Sequence, residues 1–179
     1  MASADLSLVK DWVSLEITPQ LYDQIRAAWA YHCDRENNSD IDGLLTTLTD
    51  DCEYHLVNLG AKWHGHEGAR AFYEELLNAF TDVLWVPEAL VIGPQGVFDV
   101  VVLNGKQLKD WRGIKASGER VYVRFLIWFP WNIQQGKFSG ERMYLQMVTP
   151  ETALLPEETA QGQDAHAILT AWATKGKES

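Results

Sequence analysis

Five histidines and twenty-five carboxylates make acid–base chemistry the first kind available to this chain. Three of these groups, His55, Asp110 and Glu141, have side chains able to move a proton at a bound molecule and lie in or beside strand-like runs. His55 lies in a short strand-like run, Glu53 to Asn58, and an imidazole with a pKa of about 6.5 before burial can act as base or acid near neutrality. Strand alternation puts Tyr54, Leu56 and Asn58 on one face and Glu53, His55 and Val57 on the other. Either face can be the buried one, so a half-exposed strand histidine is the competing reading. Asp110 precedes Trp111, and a carboxyl desolvated by aromatic rings has its pKa raised toward neutrality. Its alternative is an ordinary surface charge at a strand end, between Lys109 and Arg112. Glu141 can be a third proton carrier or the structural partner of Arg124 on a neighbouring strand. Arg124 itself falls in a strand expected to be covered on both faces, so it requires a partner or a ligand anion.

His32 sits on the apolar face of a helix and reads as a satisfied core histidine. His64 and His66 could join His55 at a zinc ion, but their spacing is loop-borne and no fourth ligand is evident, so no metal is expected. Cys33 and Cys52 are too few and too far apart for a metal motif and read as buried reduced thiols. The net charge of −10, without a basic stripe, disfavours nucleic acid and anionic membrane surfaces. No apolar run reaches membrane-spanning length, and the first residues lack a signal-peptide layout, so a cytoplasmic location is expected. Four of the eight tryptophans, at 85, 111, 128 and 131, fall in the strand-rich half, where they fill a core or line an apolar cavity.

The elements that would position these groups follow from periodicity. Residues 5 to 17 have a helical rhythm, and Thr18-Pro19 then caps a helix with Leu21, Ile25, Ala28, Trp29 and His32 on its buried face. Ser39 or Asp40 caps a short helix carrying Ile41, Leu44, Leu45 and Leu48, which ends near Thr49-Asp50-Asp51. After the strand at Glu53–Asn58 comes a glycine-bearing loop and a helix over 64–80, whose apolar positions 69, 72, 73, 76, 77 and 80 form one stripe. Strands are expected at Leu84–Ile92, Val97–Asn104 with a continuation toward Trp111, Val121–Phe129 and Phe138–Val148. Pro87 argues that the first of these is an edge or carries a bulge, whereas Val121–Phe129 is central. Asp164 can cap a last helix, 164–174, with Ala165, Ile168, Leu169 and Trp172 on one stripe. The sum is one domain of class α+β: a cone-shaped, curved antiparallel sheet covered by three helices, with helical extensions at both ends.

Three segments carry a resemblance. Gly65-His66-Glu67-Gly68-Ala69-Arg70-Ala71-Phe72-Tyr73 resembles a G-x-E-G-x-R-x-F-Y segment, Trp111-Arg112-Gly113-Ile114-Lys115-Ala116-Ser117-Gly118 an F-x-G-I-x-x-T-G turn, and Gly136-Lys137-Phe138 with Glu141 a G-K-I-x-E-E strand. All three are similar to the SnoaL-like polyketide cyclase and ester cyclase group of the nuclear transport factor 2-like fold, over residues 20–148. The resemblance implies a cofactor-free acid–base enzyme (a cyclase, isomerase, lyase or hydrolase) acting on a small, largely apolar metabolite held in the cone. A non-catalytic carrier or sensor of the same fold is the other implied class. It also implies proton transfer by His55, with Asp110 or Glu141 as the complementary acid or orienting group, and positioning of the ligand by Tyr54, Arg124 and Trp128. Asn58, Trp63, Trp111, Tyr144 and Gln146 complete the ligand-facing candidates. Two departures stand out: Gln146 replaces the aspartate that often ends the last strand in the group, and Met143 looks like the position at which limonene-type epoxide hydrolases, which share the fold, place an aspartate. A homodimer is expected, because the outer sheet face offers apolar residues that one domain cannot cover.

Overall fold

Thr18 and Pro19 open the first long helix of the computed structural model, which describes residues 7–149. The Thr18 hydroxyl accepts the Leu21 N–H at 3.2 Å, and the proline gives up an N–H that the first turn leaves unpaired anyway. A short helix, α1 (Ser7–Val13), precedes this α2 (Pro19–Asn37). Next comes α3 (Ile41–Leu45), where the Asp40 carboxylate accepts the Gly43 N–H at 2.9 Å. The fourth helix, α4 (Gly65–Ala79), buries Ala69, Phe72, Tyr73, Leu76 and Ala79, the stripe read from its sequence. The second terminal extension, expected at 164–174, lies outside the described residues.

Six strands form one curved sheet: β1 (Leu48–Leu56), β2 (Ala61–His64), β3 (Phe80–Gly93), β4 (Gly96–Gln107), β5 (Arg120–Asn132) and β6 (Lys137–Val148). Their order is β2-β1-β6-β5-β4-β3. Pro87 sits on the edge strand β3 and at a register shift between Pro87 and Ala89, so its missing N–H costs no ladder bond at the sheet centre. β5 is central, with Val123, Phe125, Ile127 and Phe129 buried on the inner face. Tyr122, Arg124, Leu126 and Trp128 are half-buried on the outer one. α2 and α4 lie across the inner face, and the space between is packed with rings, among them Trp85 against Phe125 and Phe129 against Phe138.

Four features depart from expectation. The sheet is antiparallel except at one joint, where β1 runs parallel to β6. β1 begins at Leu48, not Glu53, because Leu48 and Thr49 are buried at its start, a fact that the polar run Thr49-Asp50-Asp51 conceals. β2 lies in the segment read as a loop; four residues are too few to show alternation, and Gly60, at φ +65°, turns it back onto β1. β4 stops at Gln107, short of Trp111. The Gln107 side-chain amide donates to the carbonyls of Lys109 and Ile114, both at 3.1 Å, and folds the chain into a loop closed by a Trp111–Ile114 bridge.

The parallel joint depends on Gly140. Its φ is +110°, and a Cβ there would stand 2.1 Å from the Glu53 carbonyl oxygen, so only glycine lets β1 approach. The irregularity also turns both Phe138 and Glu141 inward. Cys33 and Cys52 are buried free thiols. Among the described residues no helix is long and apolar enough to cross a membrane.

Candidate functional site

Inside the cone, polar groups from five elements meet. α2 supplies His32 and Glu36, β1 Tyr54, α4 Tyr73, β4 Asp99 and β6 Glu141. The Tyr73 hydroxyl donates to Glu141 Oε1 at 3.0 Å, and His32 Nε2 lies 3.1 Å from the same oxygen. His32 Nδ1 is 2.7 Å from the Thr47 hydroxyl, while Tyr54 and Tyr73 oppose their hydroxyls at 3.4 Å. Burial, with nearby carboxylates, raises both phenols well above their ordinary pKa, so both stay protonated donors.

Asp99 is the sharper feature. It is 2% exposed on the inner face of β4, and its Oδ1 has no hydrogen-bond partner among the described residues. Desolvation holds its carboxyl well above the usual range, with the charge of Glu141 acting the same way and the Trp29 indole opposing. Glu36, half-buried beside the same pocket, is also shifted well upward, first by desolvation and then by Glu141 and Asp99. The pocket has a volume of about 10 Å³, room for one water-sized group. Trp29, Glu36, Asn37, Trp85, Asp99 and Phe129 are among its lining residues. Two buried donors there, Trp29 Nε1 and Asn37 Nδ2, make no well-formed hydrogen bond among the described residues, although the Trp29 indole stands close enough to the Asp99 carboxyl to oppose its upward shift. The Asn37 amide is oriented by the Trp85 backbone N–H, which donates to Asn37 Oδ1 at 3.1 Å and leaves the NH₂ end free. Two residues with unpartnered N–H donors and one whose carboxyl pKa is raised thus border a space the size of an oxygen atom. Such a set can hold a carbonyl oxygen and exchange a proton beside it.

The sequence-derived candidates divide. Glu141 and Tyr54 are in the interior, 2% and 0% exposed, and Trp111 is buried there against Phe80. His55 is on the opposite face of β1 from Tyr54, with Glu53 at 4.0 Å, so the expected His55–carboxylate pair does not form across the cone. Asp110 is 55% exposed; its carboxylate accepts the Ala116 N–H at 2.9 Å and pairs with Lys115, which lowers its pKa instead of raising it. Arg124 is bound to Glu88 at 2.7 Å on the outer face, not to Glu141. Trp128, Tyr144 and Gln146 share that outer face by alternation on β5 and β6. Asn58 pairs with both backbone groups of Leu145, at 3.0 and 3.2 Å, and so extends the sheet. Trp63 packs on Phe72 and lies under the Arg112 guanidinium at 4.6 Å. Met143 faces inward, with a thioether where the epoxide-hydrolase resemblance calls for an aspartate.

Sequence reasoning missed Trp29, Glu36, Asn37, Tyr73 and Asp99 as site residues. Tyr73 ends the first resembling segment and could have been singled out there. Asp99 carried a weaker signal, a lone acid inside the apolar run Val97-Phe98-Asp99-Val100-Val101.

A bent sheet closed by helices over an interior of acids and phenols defines a cone-shaped α+β protein of the nuclear transport factor 2-like class. The chain belongs to the SnoaL-like domain family, whose model matches residues 29–140. Solved structures agree on the fold. A SnoaL-like polyketide cyclase from Agrobacterium tumefaciens str. C58 is similar with a TM-score of 0.58 at 18% identity, over 66% of this chain and 88% of that one. A protein from Jannaschia sp. CCS1 described as a SnoaL-like polyketide cyclase gives 0.61 at 20% identity, over 74% and 92%. A protein of ketosteroid isomerase-like fold from Catenulispora acidiphila DSM 44928, in complex with trimethylamine, gives 0.53 at 17%, over 72% and 86%. No curated protein sequence matches significantly.

Proposed function

We propose that this protein is a cyclase- or isomerase-type enzyme that moves a proton at the carbon beside a carbonyl group of a small, largely apolar metabolite. Asp99 is the proton carrier, and the N–H groups of Trp29 and Asn37 receive the carbonyl oxygen as it gains charge. The observation that supports this reading is the set of unpartnered buried groups, Asp99 Oδ1, Trp29 Nε1 and Asn37 Nδ2, on residues bordering one pocket. A buried carboxyl with a raised pKa is suited to proton transfer near neutrality, and prealigned N–H donors in a dry site stabilise an enolate strongly. Glu36 and Tyr73 border the same interior, and Glu141 holds Tyr73 in place. The steps use the chain's own side chains. Titratable groups converging on an aromatic pocket favour an enzyme over a passive carrier of the same fold.

The experiment is hydrogen–deuterium exchange at the α-carbon of small ketones and 1,3-dicarbonyl compounds, followed by NMR in deuterated buffer. Wild-type protein should accelerate exchange, and Asp99→Asn should lower that acceleration by about 10²-fold or more while remaining folded. Equal exchange with and without protein across the panel would overturn the reading.

A further inference from the structure

The pocket that holds Asp99 is lined by two acids, Glu36 and Asp99, and by no counter-charge among the described residues. Among the described residues no lysine, arginine or histidine lines it, and no cation is among those that act on Asp99 or Glu36. Asp99 is deep in the pocket and unpartnered at Oδ1, while Glu36 is half-buried beside it, in contact with both pocket and solvent. Its walls include the rings of Trp29, Trp85 and Phe129.

We infer that the ligand of this site carries a positive charge near its carbonyl group, an ammonium that rests beside Glu36 while the carbonyl oxygen enters between Trp29 and Asn37. The inference rests on the carbonyl reading above and adds the charge of the substrate class to it. Three observations converge. The water-sized volume admits an oxygen atom but not a bulkier group, so the remainder of the ligand stays toward the half-buried Glu36. An anionic ligand would meet the carboxyl groups of Glu36 and Asp99, with the charge of Glu141 acting on both and no basic side chain among the described lining residues to offset them. A cation supplies what the described lining lacks: it ion-pairs with Glu36 in a pocket walled by aromatic rings.

The test is a series of three probes of one size and three charges: aminoacetone, hydroxyacetone and pyruvate, titrated calorimetrically at pH 6.5. Aminoacetone should bind about tenfold or more tightly than hydroxyacetone, the margin expected when one hydrogen bond becomes charge-assisted, and pyruvate should bind weakest. Repeating the aminoacetone titration in buffers of different ionisation enthalpy should show net proton release, because the bound cation favours ionised Glu36. Glu36→Gln should collapse the aminoacetone-to-hydroxyacetone ratio toward one. That ratio separates a charge effect from a folding defect, which would weaken both ligands alike. Hydroxyacetone binding as well as aminoacetone, or an undiminished ratio in Glu36→Gln, would overturn this inference and leave the carbonyl reading intact. Failure of all three probes to bind would overturn both.

Discussion

His32 and Thr47 stand 2.7 Å apart, and the direction of the bond between them is fixed by a third group. Thr47 gives its hydroxyl proton to the Leu44 carbonyl at 2.7 Å, so it can only accept from the imidazole. Nδ1 of His32 therefore carries a proton. Its Nε2 faces Glu141 Oε1, and one proton must lie in that contact, as imidazolium with carboxylate or as imidazole with carboxylic acid. A nitrogen-15 spectrum should show a proton on His32 Nδ1; a bare Nδ1 would contradict the bond direction. Glu141→Ala removes the acceptor of Tyr73 and the partner of Nε2 together, and denaturant titration should show a loss of about 1–3 kcal/mol.

The raised carboxyls make stability depend on pH in an unusual direction. Asp99 and Glu36 hold their protons in the folded state after the unfolded chain has released them, so the folded state binds more protons and stability falls as pH rises. The fall should begin above the ordinary carboxylate pKa of about 4 and continue through the raised folded values. Asp99→Asn should flatten part of that slope, giving a Tm above wild type at pH 8 but not at pH 4. A wild-type Tm that climbs from pH 5 to pH 8 would sink the claim.

His55 and Asp110, the first candidates by residue type, should be dispensable. His55→Ala and Asp110→Asn each alter a group outside the interior and should change stability by no more than about 0.5 kcal/mol. In the exchange assay, both should match wild type. A hundredfold loss in either would restore the site to the outer face of β1 or the 107–118 loop.

The outer face of the sheet carries cross-strand rows that the other described elements do not cover in full: Phe98, Trp128 and Arg142, then Val100, Leu126 and Tyr144. Phe98 and Tyr144 are 39% and 52% exposed. Sedimentation should find a homodimer at micromolar concentration, and Tyr144→Asp should weaken it by setting a charge within that apolar surface. A wild-type monomer would leave the face to another role.

Much of the fold was legible because its signals were local. The stripe on α4, the Thr18-Pro19 start of α2 and the Pro87 edge each depend on residues a few positions apart. The interior was less legible because it depends on which side of a strand faces inward. For β1 that choice is made by the pairing of Tyr54 with Glu141, residues that are neighbours only after the sheet has formed. Glu141 was readable from its segment, but its partners His32 and Tyr73 come from two helices distant in sequence. The need of Arg124 for a partner is legible in its strand, but its partner Glu88 is not, because it follows Pro87 on a strand whose register shift resets the alternation.

The parallel joint of β1 with β6 has a consequence for how the chain reaches this state. β1 is complete at Leu56, yet its neighbour on one side begins only at Lys137. During synthesis the strand must wait, with one edge held by β2 and the other bare, until nearly every other described element has left the ribosome. Contacts of such long sequence separation close late and slowly, after the antiparallel β3–β4 and β5–β6 hairpins have formed from local turns. The same closure joins Tyr54 to Glu141, so the interior acid network cannot exist in any shorter nascent chain, and an arrested intermediate would present the open edge of β1 to other molecules.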